Sequence, residues 1–176
     1  MNADAIDTLP DSPLVVATFA RRDEGDTPTA TGSVLLDSLG GPLDAHRRMA
    51  TRTATIEVSV APGHAVAIPE TADAGLDSMI EIWHESQRLI AAIGRQARRI
   101  LGAPAPGATE HPDGLGAVYS RLAYLYSISF NRFVLDGPEG ANRRRLGRAY
   151  IDHDDLVHHL TRGTKFLPTV LTAPDR

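Results

Sequence analysis

The sequence predicts an α+β fold in which a small N-terminal antiparallel sheet packs on a helical C-terminal part. Residues 13–68 contain short β-branched and apolar runs separated by Gly, Pro and Asp, which is typical of short strands. From residue 71 to residue 162 the apolar spacing changes to the three- and four-residue intervals of helices. We therefore predict three or four strands followed by three or four helices, with residues 1–12 as a flexible tail and residues 13–176 as one domain.

The strand predictions come from residue type and from alternation. Residues 13–22 (PLVVATFARR) are β-branched and aromatic, and residues 33–39 (SVLLDSL) form a short apolar run. The run ATIEVSV at residues 54–60 alternates apolar and polar side chains, a period of two that indicates a half-buried strand. A Pro-Gly turn follows, and residues 64–68 are expected to return as its hairpin partner.

The first predicted helix begins near Thr71 and ends before Gly102 and Pro104. Its acidic residues lie toward the start and its arginines toward the end, which complements the helix dipole. Its apolar side chains recur at intervals of three and four, a stripe that can pack in the chain or against a second copy. The stripe gives our interface candidates, which are Met79, Trp83, Ile90, Ile93, Ala97 and Ile100.

Three further helices are expected. The second covers about residues 115–135 and is apolar almost all round, which predicts a buried central position. The third covers residues 139–148 and the fourth residues 152–162, with Asp152 as N-cap of the fourth and a glycine after its end. An extended tail at residues 166–170 completes the helical part.

Composition excludes several classes of function. The 176 residues contain no cysteine, which excludes thiol catalysis and cysteine-ligated metal centres. Lys165 is the only lysine against 17 arginines, a bias typical of GC-rich bacterial genes. No glycine-rich loop precedes it, so a P-loop is excluded. The net charge of −4 divides into −7 over residues 1–80 and +3 over residues 81–176, which argues against a nonspecific DNA-coating protein.

Location and membrane association follow from hydropathy. No apolar run approaches the roughly 20 residues that span a bilayer. The acidic N-terminus does not resemble a signal peptide. We expect a cytoplasmic protein with no membrane partner.

Arginines dominate residues 143–148 (RRRLGR). Guanidinium groups bind phosphate and carboxylate in a bidentate manner, and a tyrosine two residues later can stack on a base. This pattern indicates anion or nucleic-acid binding. The alternative is a solvated helix face, or one that pairs with the acidic N-terminal half of this chain or with a partner. The candidate residues are Arg143, Arg144, Arg145, Arg148 and Tyr150.

Histidines and acids cluster in IDHDDLVHHL at residues 151–160. His153, Asp154 and His158 could supply ligands to a divalent metal, which gives a metal-dependent enzyme with a site around His153–His159 as an alternative. Helix capping and dipole interactions also account for the cluster, and no cofactor is expected. The Glu81-x-x-His84 spacing matches di-iron helices, but no carboxylate lies between residues 115 and 135 to complete such a centre.

No catalytic constellation is evident, and the catalytic residues of any enzyme activity are unknown. Serines 120, 127 and 129 have no histidine or acid near them in sequence. We therefore expect a non-enzymatic interaction or assembly subunit, working with a protein partner or as a homo-oligomer. Nucleic-acid or other polyanion binding is the first alternative, and the metal-dependent enzyme is the second.

Overall fold

A computed structural model describes residues 9–23, 33–59, 71–130 and 140–169 of the chain. Within these ranges the chain forms helices and one pair of two-residue strands. In chain order the elements are α1 (Ser12–Asp23), α2 (Val34–Ser38), α3 (Gly40–Ser59), α4 (Thr71–Leu101), β1 (Thr109–Glu110), α5 (Leu115–Phe130), α6 (Ala141–Thr161) and β2 (Lys165–Phe166).

The predicted α+β class is wrong, because the described N-terminal ranges are helical. The runs at residues 13–22 and 33–39, and residues 54–59 of the alternating run, all lie in helices, apart from single residues at their ends. The expected hairpin partner at residues 64–68 lies outside the described residues. The sheet that is described is parallel, and it joins β1 to β2 through the pairs Thr109–Lys165 and Glu110–Phe166.

Helix α1 begins where a capping sequence precedes the apolar run. The Asp11 carboxylate accepts a hydrogen bond from the Leu14 amide at 3.1 Å, and the Asp11 carbonyl accepts one from the Val15 amide at 3.0 Å. Pro13 lies in the first turn, where a missing N–H costs nothing. The Asp-Ser-Pro sequence therefore starts a helix, although the residues after it have high strand propensity.

The start of α3 explains the wrong interpretation of residues 40–59. Gly40-Gly41-Pro42 resembles a chain break in sequence, but the three residues form the first turn of the helix. Proline is tolerated there because the first N–H groups of a helix have no intrahelical acceptor. Once the helix has begun, Leu43 and Ala45 are fully buried in the packed interior.

The C-terminal predictions are closer to the structure. The bounds of α4 match the predicted first helix, and Gly102 follows it with a positive φ of 71°. The first 16 residues of the predicted second helix form α5, and residues 131–139 lie outside the described ranges. The third and fourth predicted helices form one helix, α6, so Asp152 lies in its interior and does not cap it.

Helix α5 lies at the centre of the fold and packs against α3, α4 and α6. Helices α4 and α5 are in close contact at Gly116, where a Cβ atom would lie 2.0 Å from the carbonyl oxygen of Ile90. No helix in the described ranges combines the length and the apolar character needed to cross a membrane.

Candidate functional site

Helix α4 carries the interface candidates, and the structure divides them into two groups. Ile93 and Ala97 are core residues, and Ile100 packs against the same core. Ile90 is partly buried at the contact with Gly116. The C-terminal half of the predicted stripe therefore packs within the chain itself.

The N-terminal half of α4 exposes large apolar side chains. Trp83 is 43% exposed and Ile80 is 47% exposed, and the two lie three residues apart, on adjacent turns of the helix. Met79 beside them is partly exposed. We call Ile80 and Trp83 the α4 patch. His84 is also exposed, and its ring lies edge-on to the Trp83 ring with 5.0 Å between centroids.

Charges on α4 are separated along its length. Residues 71–87 contain four acidic residues and no arginine or lysine, whereas residues 88–101 contain four arginines and no acid. Two of these groups bind within the chain: Glu85 pairs with Arg48 at 2.8 Å, and Arg98 donates to the Pro168 carbonyl at 3.0 Å. Glu81 and Arg88 are exposed charges of α4 near the α4 patch, and helical spacing places them on the same side of the helix.

A serine and a histidine that are distant in sequence meet between α3 and α5. The Nε2 atom of His46 lies 3.0 Å from the Oγ of Ser120, and the His46 ring packs against the exposed Tyr124 ring. Burial lowers the pKa of His46, partly opposed by the hydrogen bond at Ser120. Sequence reasoning missed this pair because 74 residues separate its members.

The geometry of this pair does not provide for acyl transfer. Ser120 lies in the interior of α5, where backbone N–H groups are used in helical hydrogen bonds and cannot form an oxyanion hole. No carboxylate hydrogen-bonded to His46 is found among the described residues. We interpret the pair as a polar contact that joins α3 to α5.

A second buried histidine joins α1 to α6. His153 is 1% exposed, and its Nδ1 lies 3.1 Å from the Oγ of Ser12. The Ser12 hydroxyl donates to the Tyr150 carbonyl at 2.9 Å, so its oxygen accepts the Nδ1 proton of His153. The Ser12 amide donates to the Asp154 carboxylate at 2.8 Å. Burial lowers the pKa of His153, although the nearby Asp154 carboxylate acts in the opposite direction.

This contact accounts for two of the three predicted metal ligands. His153 uses Nδ1 for Ser12 and is packed against the Tyr119 ring, with 5.2 Å between centroids. Asp154 accepts from the Ser12 amide, and His158 is exposed farther along α6. In the part of the chain that the structure describes, no three metal-ligating side chains come together.

The predicted anion-binding arginines lie on the first half of α6. Arg143, Arg144, Arg145 and Arg148 are exposed. Tyr150 is partly buried, and its hydroxyl lies in the interior, where burial raises its pKa. The exposed ring beside these arginines is Phe130, which is 53% exposed and lies 5.7 Å from the Arg143 guanidinium carbon.

Comparison of the chain with protein-family models, curated proteins and solved structures finds no match, so its function must be inferred from its own residues.

Proposed function

We propose that the protein is an interaction subunit, and that it joins an assembly through the α4 patch. The single observation that supports this proposal is the exposure of Trp83 and Ile80 on one segment of a long, well-packed helix. Aromatic side chains are enriched at the centres of protein interfaces and are among the residues that contribute most to binding. The His46–Ser120 contact lacks an oxyanion hole, and no three metal-ligating side chains meet among the described residues, so neither arrangement offers comparable support for an enzyme.

The charges around the patch support a proposal for the chemistry of its partner. Glu81 and Glu85 lie on the same segment, and sequence places Asp73 and Asp77 on the turns before it. Burying an indole and an aliphatic side chain beside carboxylates favours an apolar helix face flanked by basic groups. We therefore propose a protein partner that presents such a face.

Native mass spectrometry of the protein, isolated gently from its own cells, tests this function. We expect the wild-type chain in a complex heavier than its own 18.9 kDa. The double variant Ile80→Glu/Trp83→Glu should return to the mass of one chain, because two carboxylates in the contact remain desolvated and unpaired. Ile151→Glu is the matched control, since Ile151 is 64% exposed on α6 and lies outside the patch. A wild-type chain found only at 18.9 kDa would exclude the proposal.

Polyanion binding is a second candidate, and the position of Phe130 favours it. Four exposed arginines occupy the first two turns of α6, whose first turn contains no acid. Cations at a helix N-terminus oppose the helix dipole, so this placement is not explained by helix stability. An exposed aromatic ring beside exposed arginines is the combination that binds single-stranded nucleic acid.

Binding of a single-stranded oligonucleotide at increasing salt tests this second candidate. We expect affinity to fall steeply with salt, and Arg144→Ala/Arg145→Ala to reduce both the affinity and the salt slope. Arg162→Ala at the far end of α6 is the control. Equal binding by the wild type and the double variant would contradict the second candidate.

A further inference from the structure

We infer that the partner of the α4 patch is a second copy of this chain, bound antiparallel through α4. This inference rests on the proposed function and identifies its partner. The α4 patch requires an apolar helix face flanked by basic groups, and α4 itself carries exposed arginines on its C-terminal half. Only the antiparallel orientation places the acidic half of one α4 beside the basic half of the other.

Exposed and partly exposed residues of α4 form a continuous stripe for such a contact. Ile80, His84, Gln87 and Ala91 recur at intervals of four, three and four, so they lie along one side of the helix. None of them belongs to the buried core. Trp83 borders this stripe on one side, and Glu81 and Arg88 border it on the other side at helical spacing.

Charge fixes the register of the pair. A two-fold axis between His84 and Glu85 places Glu81 level with Arg88 of the second copy, twice in each dimer. An axis one turn earlier places the two Glu81 carboxylates opposite each other, and an axis one turn later does the same to the two Arg88 guanidiniums. Like charges held opposite are unfavourable, so the intermediate register is selected.

In the same register, the apolar side chains of Trp83 and Ile80 pack against the second copy. At 1.5 Å per residue, the two Trp83 positions lie within about 5 Å of each other along the helix axes. Ile80 of one copy then lies level with the segment between Gln87 and Ala91 of the other. Its side chain can insert between the side chains of that segment, as in knobs-into-holes packing. A single helix pair buries less area than a standard interface, so we expect a micromolar dissociation constant.

Charge reversal tests the register by sedimentation velocity, from micromolar to near-millimolar protein. Glu81→Arg alone and Arg88→Glu alone should each weaken the dimer by about tenfold or more, because each creates two like-charge contacts. The double variant Glu81→Arg/Arg88→Glu should restore dimer formation, and so should an equal mixture of the two single variants. Arg148→Glu is the control, since it reverses an exposed arginine that lies on α6, outside the proposed contact.

Single cysteines test the orientation, and the natural absence of cysteine makes this experiment free of background. His84→Cys should form a covalent dimer on oxidation, because the two positions face each other across the axis. Ala91→Cys lies two turns along the same side of the helix. It should not form a covalent dimer, because the two positions lie about 20 Å apart in the antiparallel pair. A parallel pair would cross-link both variants equally, and that result would overturn the inference.

The proposed function and this inference fail in different ways. If the purified wild-type chain sediments as a monomer at every concentration, the second copy is excluded as partner. If the complex isolated from cells then contains one copy with another protein, the interaction function stands without it. Reversals at Glu81 and Arg88 that leave a dimer unchanged would overturn the register.

Discussion

In the C-terminal half of α4, Ile93 is 1% exposed and contributes to the core, whereas in the N-terminal half Trp83 and Ile80 are nearly half exposed. Both halves belong to one continuous helix and have the apolar spacing of a buried stripe. The two halves differ in burial because different parts of the fold pack against them. Gly116 lets α5 approach Ile90 closely, while the large side chains of the α4 patch have no comparable cover within the described fold. Apolar periodicity thus identifies packing faces, and only tertiary structure shows which of them the chain covers itself.

The largest effect is expected where α4 and α5 cross. Gly116→Ala places a methyl group against the Ile90 carbonyl of a rigid helix, so we expect destabilisation above the usual overpacking range of about 1–3 kcal/mol. Gly147→Ala is the matched control. Nothing lies within 4 Å of the added Cβ there, and alanine should stabilise α6 by up to about 1 kcal/mol. Urea denaturation measures both changes, and equal stability of the two variants would contradict this account of the crossing.

Truncation of isoleucine compares the two halves of α4 directly. Ile93→Ala leaves a cavity in the core and should reduce the free energy of unfolding by about 3 kcal/mol. Ile80→Ala removes the same atoms from the exposed patch, and its effect on the dilute protein should stay within about 0.5 kcal/mol. Denaturant midpoints at low protein concentration test this contrast. Comparable losses would mean that the patch is covered within the chain.

The smallest effect concerns pH and the contact between α1 and α6. Burial lowers the pKa of His153 below its ordinary value of 6.5, so the unfolded chain binds the proton more tightly. Stability is therefore greatest above about pH 6.5 and falls as the pH drops through and below that value. His153→Gln should reduce the difference in unfolding free energy between about pH 7.5 and about pH 5. A difference that is unchanged in this variant would show that His153 does not carry it.

Helices were predictable from sequence where capping residues and apolar spacing agreed, as in α4. They were missed where β-branched residues gave local strand patterns, as in residues 54–59, because strand propensity depends strongly on context and is a weak guide on its own. The Asp-Ser-Pro cap of α1 and the Ser33 cap of α2, which accepts from the Leu36 amide, were signals in the sequence that identify helix starts. Chain breaks inferred from glycine and proline are therefore ambiguous at helix N-termini.

Some candidate-site residues could be identified from the sequence, and others could not. Sequence spacing selected Trp83 as an interface residue, and its exposure is compatible with that role. The contacts of His46 with Ser120 and of His153 with Ser12 join residues 74 and 141 positions apart, so no local pattern could reveal them. These contacts depend on the tertiary packing of α3 against α5 and of α1 against α6.

Fluorescence of Trp83 tests most directly whether the α4 patch binds a second copy of the chain. Trp83 is the only tryptophan, so the emission reports this position alone. In a dilution series of the purified protein, we expect emission at shorter wavelength at high concentration, where the indole is buried, and at longer wavelength on dilution. Emission that stays at the wavelength of an exposed indole at every concentration would contradict self-association through the patch.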